Sequence, residues 1–306
     1  MNAAAENIGI WQTRRKDGPQ KGGRLVQIRN ASGLCVELLP DRCLDIGQVW
    51  LHGVPFAWVG PWGLPSKGAG VSMDTALGGL MATCGFDHIR QPVRHAGHAY
   101  PLHGNMALTP CQTLRLHPAP PHQTAPPARP PVGGFVVEAV THARAPDGAE
   151  YTQTRRISVP YSGNEISLQD QITTAPDSPI FALYHINLGD ALIGADTSVS
   201  LNADDLTDRL LPVPPVQIGP TGAGLNAARV QNGATALTVR FKGQDLPWLQ
   251  TYRRAEADMN LFCIEPASHD RKPRAELLQD GGETTPSCRR FSLRFSFDTG
   301  ADRPDL

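Results

Sequence analysis

The chain has 306 residues, 28 Lys+Arg against 29 Asp+Glu and a formal net charge of -1. That balance removes the electrostatic case for nucleic acid or an anionic membrane surface as a partner, and a small neutral or weakly charged ligand fits better. Six cysteines without a CxxC pair suggest neither a zinc cage nor a disulfide scaffold.

Residues 1–20 read as an N-terminal arm. The opening "MNAAAENIGIWQTRRKDG" lacks a basic stretch followed by an apolar core and a small-residue cleavage site, and no apolar run reaches membrane-spanning length. A cytoplasmic, reduced protein is therefore expected. From there the pattern is short alternating or apolar runs separated by turn residues. Candidate strands are 24–30 and 34–40. The segment "MDTALGGLMATCG" is cut by Gly78 and Gly79, which lowers its helix propensity. Residues 116–134 form a Pro-rich stretch that cannot pair as an interior strand and reads as a surface loop. Strands are predicted again at 135–144, 151–160, 165–174 and 180–189. A Pro/Gly-rich connection at 211–233 precedes the last candidates at 236–243, 259–267 and 288–298. "NASG", "APDG", "YSGN" and "DGGE" supply the turn residues that tight reversals need. With no convincing helix and no repeat, the expected fold is an all-β sandwich or barrel forming one domain over 1–306.

Four clusters carry candidate chemistry. In "LLPDRCLDIG", Asp41, Arg42 and Asp45 interrupt an apolar segment; they read either as a surface ion pair or as an Arg clamp for hydroxyls or a carboxylate. "GGLMATCGFDHI" joins paired glycines to Thr83, Cys84, Asp87 and His88. "HAGHAYPLHGNM" holds His95, His98 and His103, but HxxH followed by HGN fits metal-ligand spacing poorly, so no metal is expected and His103 alone is retained as ligand-facing. The last cluster pairs "LYHINLG" with "LFCIEPAS". Strand alternation puts Leu183, His185 and Asn187 on one face, opposite Tyr184 and Ile186, and it puts Cys263 and Glu265 together, opposite Phe262 and Ile264. A charged carboxylate in such a run is costly unless paired or used. If the two strands are neighbours, His185 and Glu265 meet, either as an acid/base pair or as a hydrogen bond tying two strands.

These motifs, with "GGLMATCGFD", "YPLHGNM" and the terminal "GETTPSCRRFSLRFSF", resemble the aldose 1-epimerase (galactose mutarotase-like) proteins, and within them an epimerase-like branch. The resemblance implies a large antiparallel β-supersandwich. It implies that His103 and His185 are the two site histidines, with Glu265 as general base and His185 as acid toward a ring oxygen. Arg42, Asn187, Asp45 and Asp87 are the candidates for the remaining sugar-binding positions, Asn187 in a supporting place on the His185 face. The implied activity interconverts sugar anomers by ring opening without cofactor or metal, with a small carbohydrate as partner. Two alternatives stay open: an epimerase, lyase or hydratase acting at another carbon of a (keto-)sugar, and a non-catalytic carbohydrate-binding protein. The sequence leaves self-association into a homo-oligomer open as well.

Overall fold

The structure, a computed structural model, describes residues 8–18, 20–61, 63–64, 78–117, 133–211, 216–256, 259–280 and 287–300. Two large antiparallel sheets face each other. The first runs, neighbour to neighbour, through Gly9–Arg14, Arg24–Arg29, Leu34–Leu39, Asp45–Leu51, Met81–Phe86, Phe181–Leu188, Met259–Ala267, Trp248–Glu256 and Val216–Pro220, with Val54–Pro55 paired on Asp45–Leu51. The second runs through Asp204–Asp205, Thr197–Leu201, Leu225–Asn232, Thr235–Lys242, Cys288–Asp298, Glu165–Thr174, Glu150–Pro160, Gly134–Arg144 and Thr113–His117. This is the all-β, two-sheet antiparallel architecture that the resemblance implies.

The long strands of the second sheet follow the two-residue period closely: Gly134–Arg144 and Glu150–Pro160 alternate buried with less buried positions. Their inward side chains, among them Val137, Ile157, Leu168, Phe291 and Phe295, meet Tyr184, Ile186, Phe262 and Ile264 of the first sheet in one core. Phe181–Leu188 does not alternate, because all eight of its residues are buried. Its second face is covered too. Leu183 packs with Cys84, Ala267 and Leu277, the last from the short helix Arg274–Asp280.

Several expectations need correction. Of the arm at 1–20, Gly9–Arg14 pairs as an edge strand on Arg24–Arg29. The ends of the loop predicted at 116–134 belong to strands, while 118–132 lie outside the described residues. The connection at 211–233 contains two strands. Val216–Pro220 tolerates Pro220 at its end because it is the outermost strand of its sheet, and Leu225–Asn232 is interior to the other. The helix Arg274–Asp280 was not anticipated; it starts directly after Pro273. No described helix is long and apolar enough to cross a membrane.

Between the sheets lies an ionic knot. Arg155, fully buried, donates from Nε and Nη2 to the two carboxylate oxygens of Asp170 at 2.8 and 2.7 Å, and from Nη2 to Thr83 Oγ1 at 2.8 Å. Its Nη1 approaches Asp45 Oδ1 at 3.2 Å, and Tyr184 Oη donates to Asp170 Oδ2 at 2.7 Å. Asp45 and Thr83 belong to the first sheet, Arg155 and Asp170 to the second, so the knot pins the sheets together behind the His185 strand. Removing one partner of such a pair strands a buried charge. Arg155→Met is expected to lower the unfolding free energy by about 3–5 kcal/mol in equilibrium denaturation, and a loss below about 1 kcal/mol would contradict this role.

Candidate active site

Register assembles the site. The pairs Leu183↔Ala267 and Ile186↔Ile264 set His185 beside Glu265 on the neighbouring strand, and Gln250 pairs directly with Glu265 on the next. Strands in a sheet stand about 4.8 Å apart, so three side chains in one lateral row on one face must touch. They do. His185 Nε2 lies 3.2 Å from Glu265 Oε1, and Gln250 Nε2 donates to Glu265 Oε2 in a very close contact. The approach to Oε1 is not aligned as a hydrogen bond, which leaves that oxygen buried and without a hydrogen-bond partner among the described residues.

Asn187, two residues along the same face, orients the imidazole. Its Nδ2 donates to the Gly79 carbonyl at 3.0 Å, so its Oδ1 is the atom that meets His185 Nδ1 at 2.6 Å. His185 therefore carries a proton on Nδ1 and aims Nε2 at Glu265. The same Oδ1 accepts the Cys263 thiol at 3.3 Å.

His103 approaches from a turn, its ring 5.5 Å from that of His185 and nearly perpendicular to it. Its backbone is left-handed, at φ 59°, an uncommon state for a non-glycine residue that clusters at functional sites. The next residue must be glycine: at φ 75°, a Cβ on Gly104 would stand 2.5 Å from Asp87 Oδ1 and 2.6 Å from the His88 carbonyl. His103 Nδ1 accepts the Arg90 amide at 3.2 Å. Burial, then the nearby His185 and Arg90, push its pKa well down, so the ring is neutral and offers Nε2–H as a donor.

Arg90 and Gln250 were missed by sequence reasoning. Arg90 Nε donates to Gln250 Oε1 at 2.9 Å, while Nη1 and Nη2 donate to the carbonyls of Asp270 and His269 at 2.6 and 2.8 Å. Through Gln250 its side chain braces Glu265, and through its backbone it braces His103. Burial pushes the Glu265 carboxyl up, against the opposing pull of His185, Arg90 and the Gln250 hydrogen bond. The only local signal was a polar Gln250 next to apolar Leu249, and nothing in the sequence gives its register against Glu265.

The other expected site residues divide. Asp87 is buried beneath the His103 turn, where Oδ1 accepts the Asn105 amide at 3.0 Å and its carbonyl accepts from Arg274. Asp45 faces the space between the sheets, accepting from the Thr83 amide at 3.0 Å and its hydroxyl at 2.6 Å, away from the His185 face. Arg42 is buried in the turn before Asp45, where its charge acts on Asp45 and reaches Cys84. His95 and His98 pair with each other in a small separate hairpin, apart from His103.

Comparison with known proteins agrees with the architecture. A family profile described as a domain of unknown function, DUF4432, matches residues 20–211. The chain belongs to the DUF4432 family. No curated protein sequence matches it. Among solved structures, one from Klebsiella pneumoniae, provisionally assigned as an aldose 1-epimerase, is 16% identical with a TM-score of 0.74, covering 95% of this chain and 84% of that one. A galactose 1-epimerase from Lactobacillus acidophilus is 12% identical with a TM-score of 0.60, covering 95% and 99%. A galactose mutarotase related enzyme from the same species is 12% identical with a TM-score of 0.61, covering 92% and 100%. At such identities the likeness is one of fold.

Burial raises the Asp87 carboxyl from 3.8 to about 6. The folded state thus holds this proton more tightly than the unfolded chain does, so stability that is present below 3.8 is lost as pH rises through about 6. Asp87→Asn is expected to remove that slope. Denaturation midpoints for both proteins across the window check it, and an unchanged slope would contradict the assignment.

Proposed function

We propose that this member of the DUF4432 family is a carbohydrate isomerase of the aldose 1-epimerase type, interconverting sugar anomers by acid/base ring opening. The observation that carries the proposal is the approach of His185 Nε2 to Glu265 Oε1 at 3.2 Å on a buried sheet face, with both outer atoms already held by Asn187 and Gln250.

Glu265 Oε1 takes the proton from the anomeric hydroxyl, and the freed electron pair forms the carbonyl. The bond between the anomeric carbon and the ring oxygen breaks, and that oxygen takes the Nε2 proton of His185, which starts the cycle doubly protonated beside the Glu265 carboxylate. The aldehyde turns about its bond to the next carbon and recloses on the other face, with His185 recovering its proton from the attacking hydroxyl and Glu265 returning one to the new anomeric oxygen. His103, neutral and donating from Nε2, holds a sugar oxygen near the reacting carbon. Each step is a positioned proton transfer, which suits a carboxyl raised by burial and an imidazole held in one orientation by Asn187. The structural neighbours described as galactose 1-epimerase and mutarotase related enzyme support this chemistry as a working assignment.

Glu265→Gln and His185→Asn are each expected to lower kcat by roughly 10²–10⁴-fold, measured by polarimetry of freshly dissolved sugar, with circular dichroism unchanged. A folded variant at the full rate would overturn the assignment. Gln250→Leu removes a hydrogen bond to the charged carboxylate, so the acid limb of kcat/KM should move to higher pH and the rate fall by roughly 10- to 100-fold. An unmoved limb would contradict the bracing role of Gln250.

A further inference from the structure

The same face gathers a third side chain that acid/base chemistry does not use. Among the described residues, His185, Cys263 and Glu265 form the one grouping whose ligand atoms, one from each, all lie within 4.8 Å of one another. Cys263 stands two residues before Glu265 on the same strand face, opposite Asn187 in register.

Two of these ligands already have the support that a metal-binding side chain needs. His185 Nδ1–H donates to Asn187 Oδ1, which leaves Nε2 for a metal, and Gln250 holds Glu265 Oε2, which leaves Oε1. Metal-bound histidines and carboxylates are oriented by such outer hydrogen bonds. Oε1 is buried with no hydrogen-bond partner among the described residues, an arrangement that is costly for a carboxylate with nothing to accept. The spacing fits as well. Two ligands at about 2.0–2.1 Å from a tetrahedral ion stand about 3.3 Å apart. Nε2 and Oε1 are 3.2 Å apart. A set of one imidazole, one thiol and one carboxylate selects zinc over magnesium or calcium, which take oxygen ligands.

We propose that His185 Nε2, Cys263 Sγ and Glu265 Oε1 bind zinc or a similarly soft divalent cation, and that the bound ion silences proton transfer at this site. On binding, the Cys263 thiol and His185 Nε2 each give up the proton they carry to solvent. A divalent ion with one thiolate, one carboxylate and a neutral imidazole is then uncharged, which suits a buried face. Its fourth position is left to water or a sugar hydroxyl. The ion occupies the oxygen that would take the anomeric proton and the nitrogen that would deliver one, so turnover stops. The silencing rests on the acid/base reading above; the binding does not.

The test is a cobalt titration of the full chain after chelator treatment. A thiolate-to-cobalt charge-transfer band should grow to saturation at one equivalent, vanish on adding zinc, be absent in Cys263→Ser, and persist in Cys288→Ser, which alters an exposed thiol elsewhere. X-ray absorption of the zinc-loaded wild type needs no variant: it should show one sulfur at about 2.3 Å with nitrogen or oxygen at about 2.0–2.1 Å. No saturable band, a band that survives Cys263→Ser, or a shell without sulfur would overturn the site. One equivalent of zinc should bring anomerisation down to the rate of Glu265→Gln. Zinc bound through sulfur with undiminished anomerisation would overturn the silencing. A metal-binding chain with no anomerisation in its metal-free form would instead overturn the acid/base reading and leave the metal site standing.

Discussion

A carboxylate with no exposed surface, held in a lateral row between an imidazole and an amide, is the constraint on which the rest of the structure turns. An ionised group taken out of water must be paired, hydrogen-bonded or neutralised. Glu265 meets that demand through its neighbours in register. A slip of one residue would send Glu265 into the apolar core and bring Ile264 to the His185 face, since side chains on a strand alternate. Register is therefore what the molecule must protect, and the packing of both faces of these strands protects it.

The two faces of the His185 strand carry different burdens. One turns Tyr184 and Ile186 toward the second sheet, where Asp170, Arg155, Asp45 and Thr83 form a knot of charge and hydroxyls. The other turns His185 and Asn187 toward the candidate site. The knot fixes the strands from behind, so the side chains in front need little reorganisation. In front, Arg90 ties the Glu265 side to the His103 turn, and Arg274 ties the helix to that same turn by donating to the Asp87 carbonyl and stacking 3.7 Å over the Tyr100 ring. Polar groups locked in advance, in a site shielded from water, are what proton transfer needs to be fast.

Much of this was legible in the sequence. Alternation in "LYHINLG" and "LFCIEPAS" gave the faces of His185, Asn187, Cys263 and Glu265, and the long strands such as Glu165–Thr174 and Cys288–Asp298 stood out by their period. Met81–Phe86 was hidden because it is buried along its whole length and opens its pattern with glycines nearby, so no alternation marks it. Val216–Pro220 was hidden by the run of prolines that precedes it in the sequence and by Pro220, which an outermost strand can accept. Arg155 could have been found: the two-residue period places it with Tyr151, Ile157 and Val159 on the inward face, where an arginine requires a carboxylate. Arg90 and Gln250 could not, because their contacts join segments far apart in the chain, and only the sheet order brings them together.

The central claim is that the His185 and Glu265 pair opens and closes a hemiacetal. Exchange NMR of an aldose in deuterated water, with and without the chain, addresses it most directly. The account predicts faster α/β exchange that retains every carbon-bound proton and disappears in Glu265→Gln. No acceleration for any aldose, or deuterium entering a C–H bond, would contradict it.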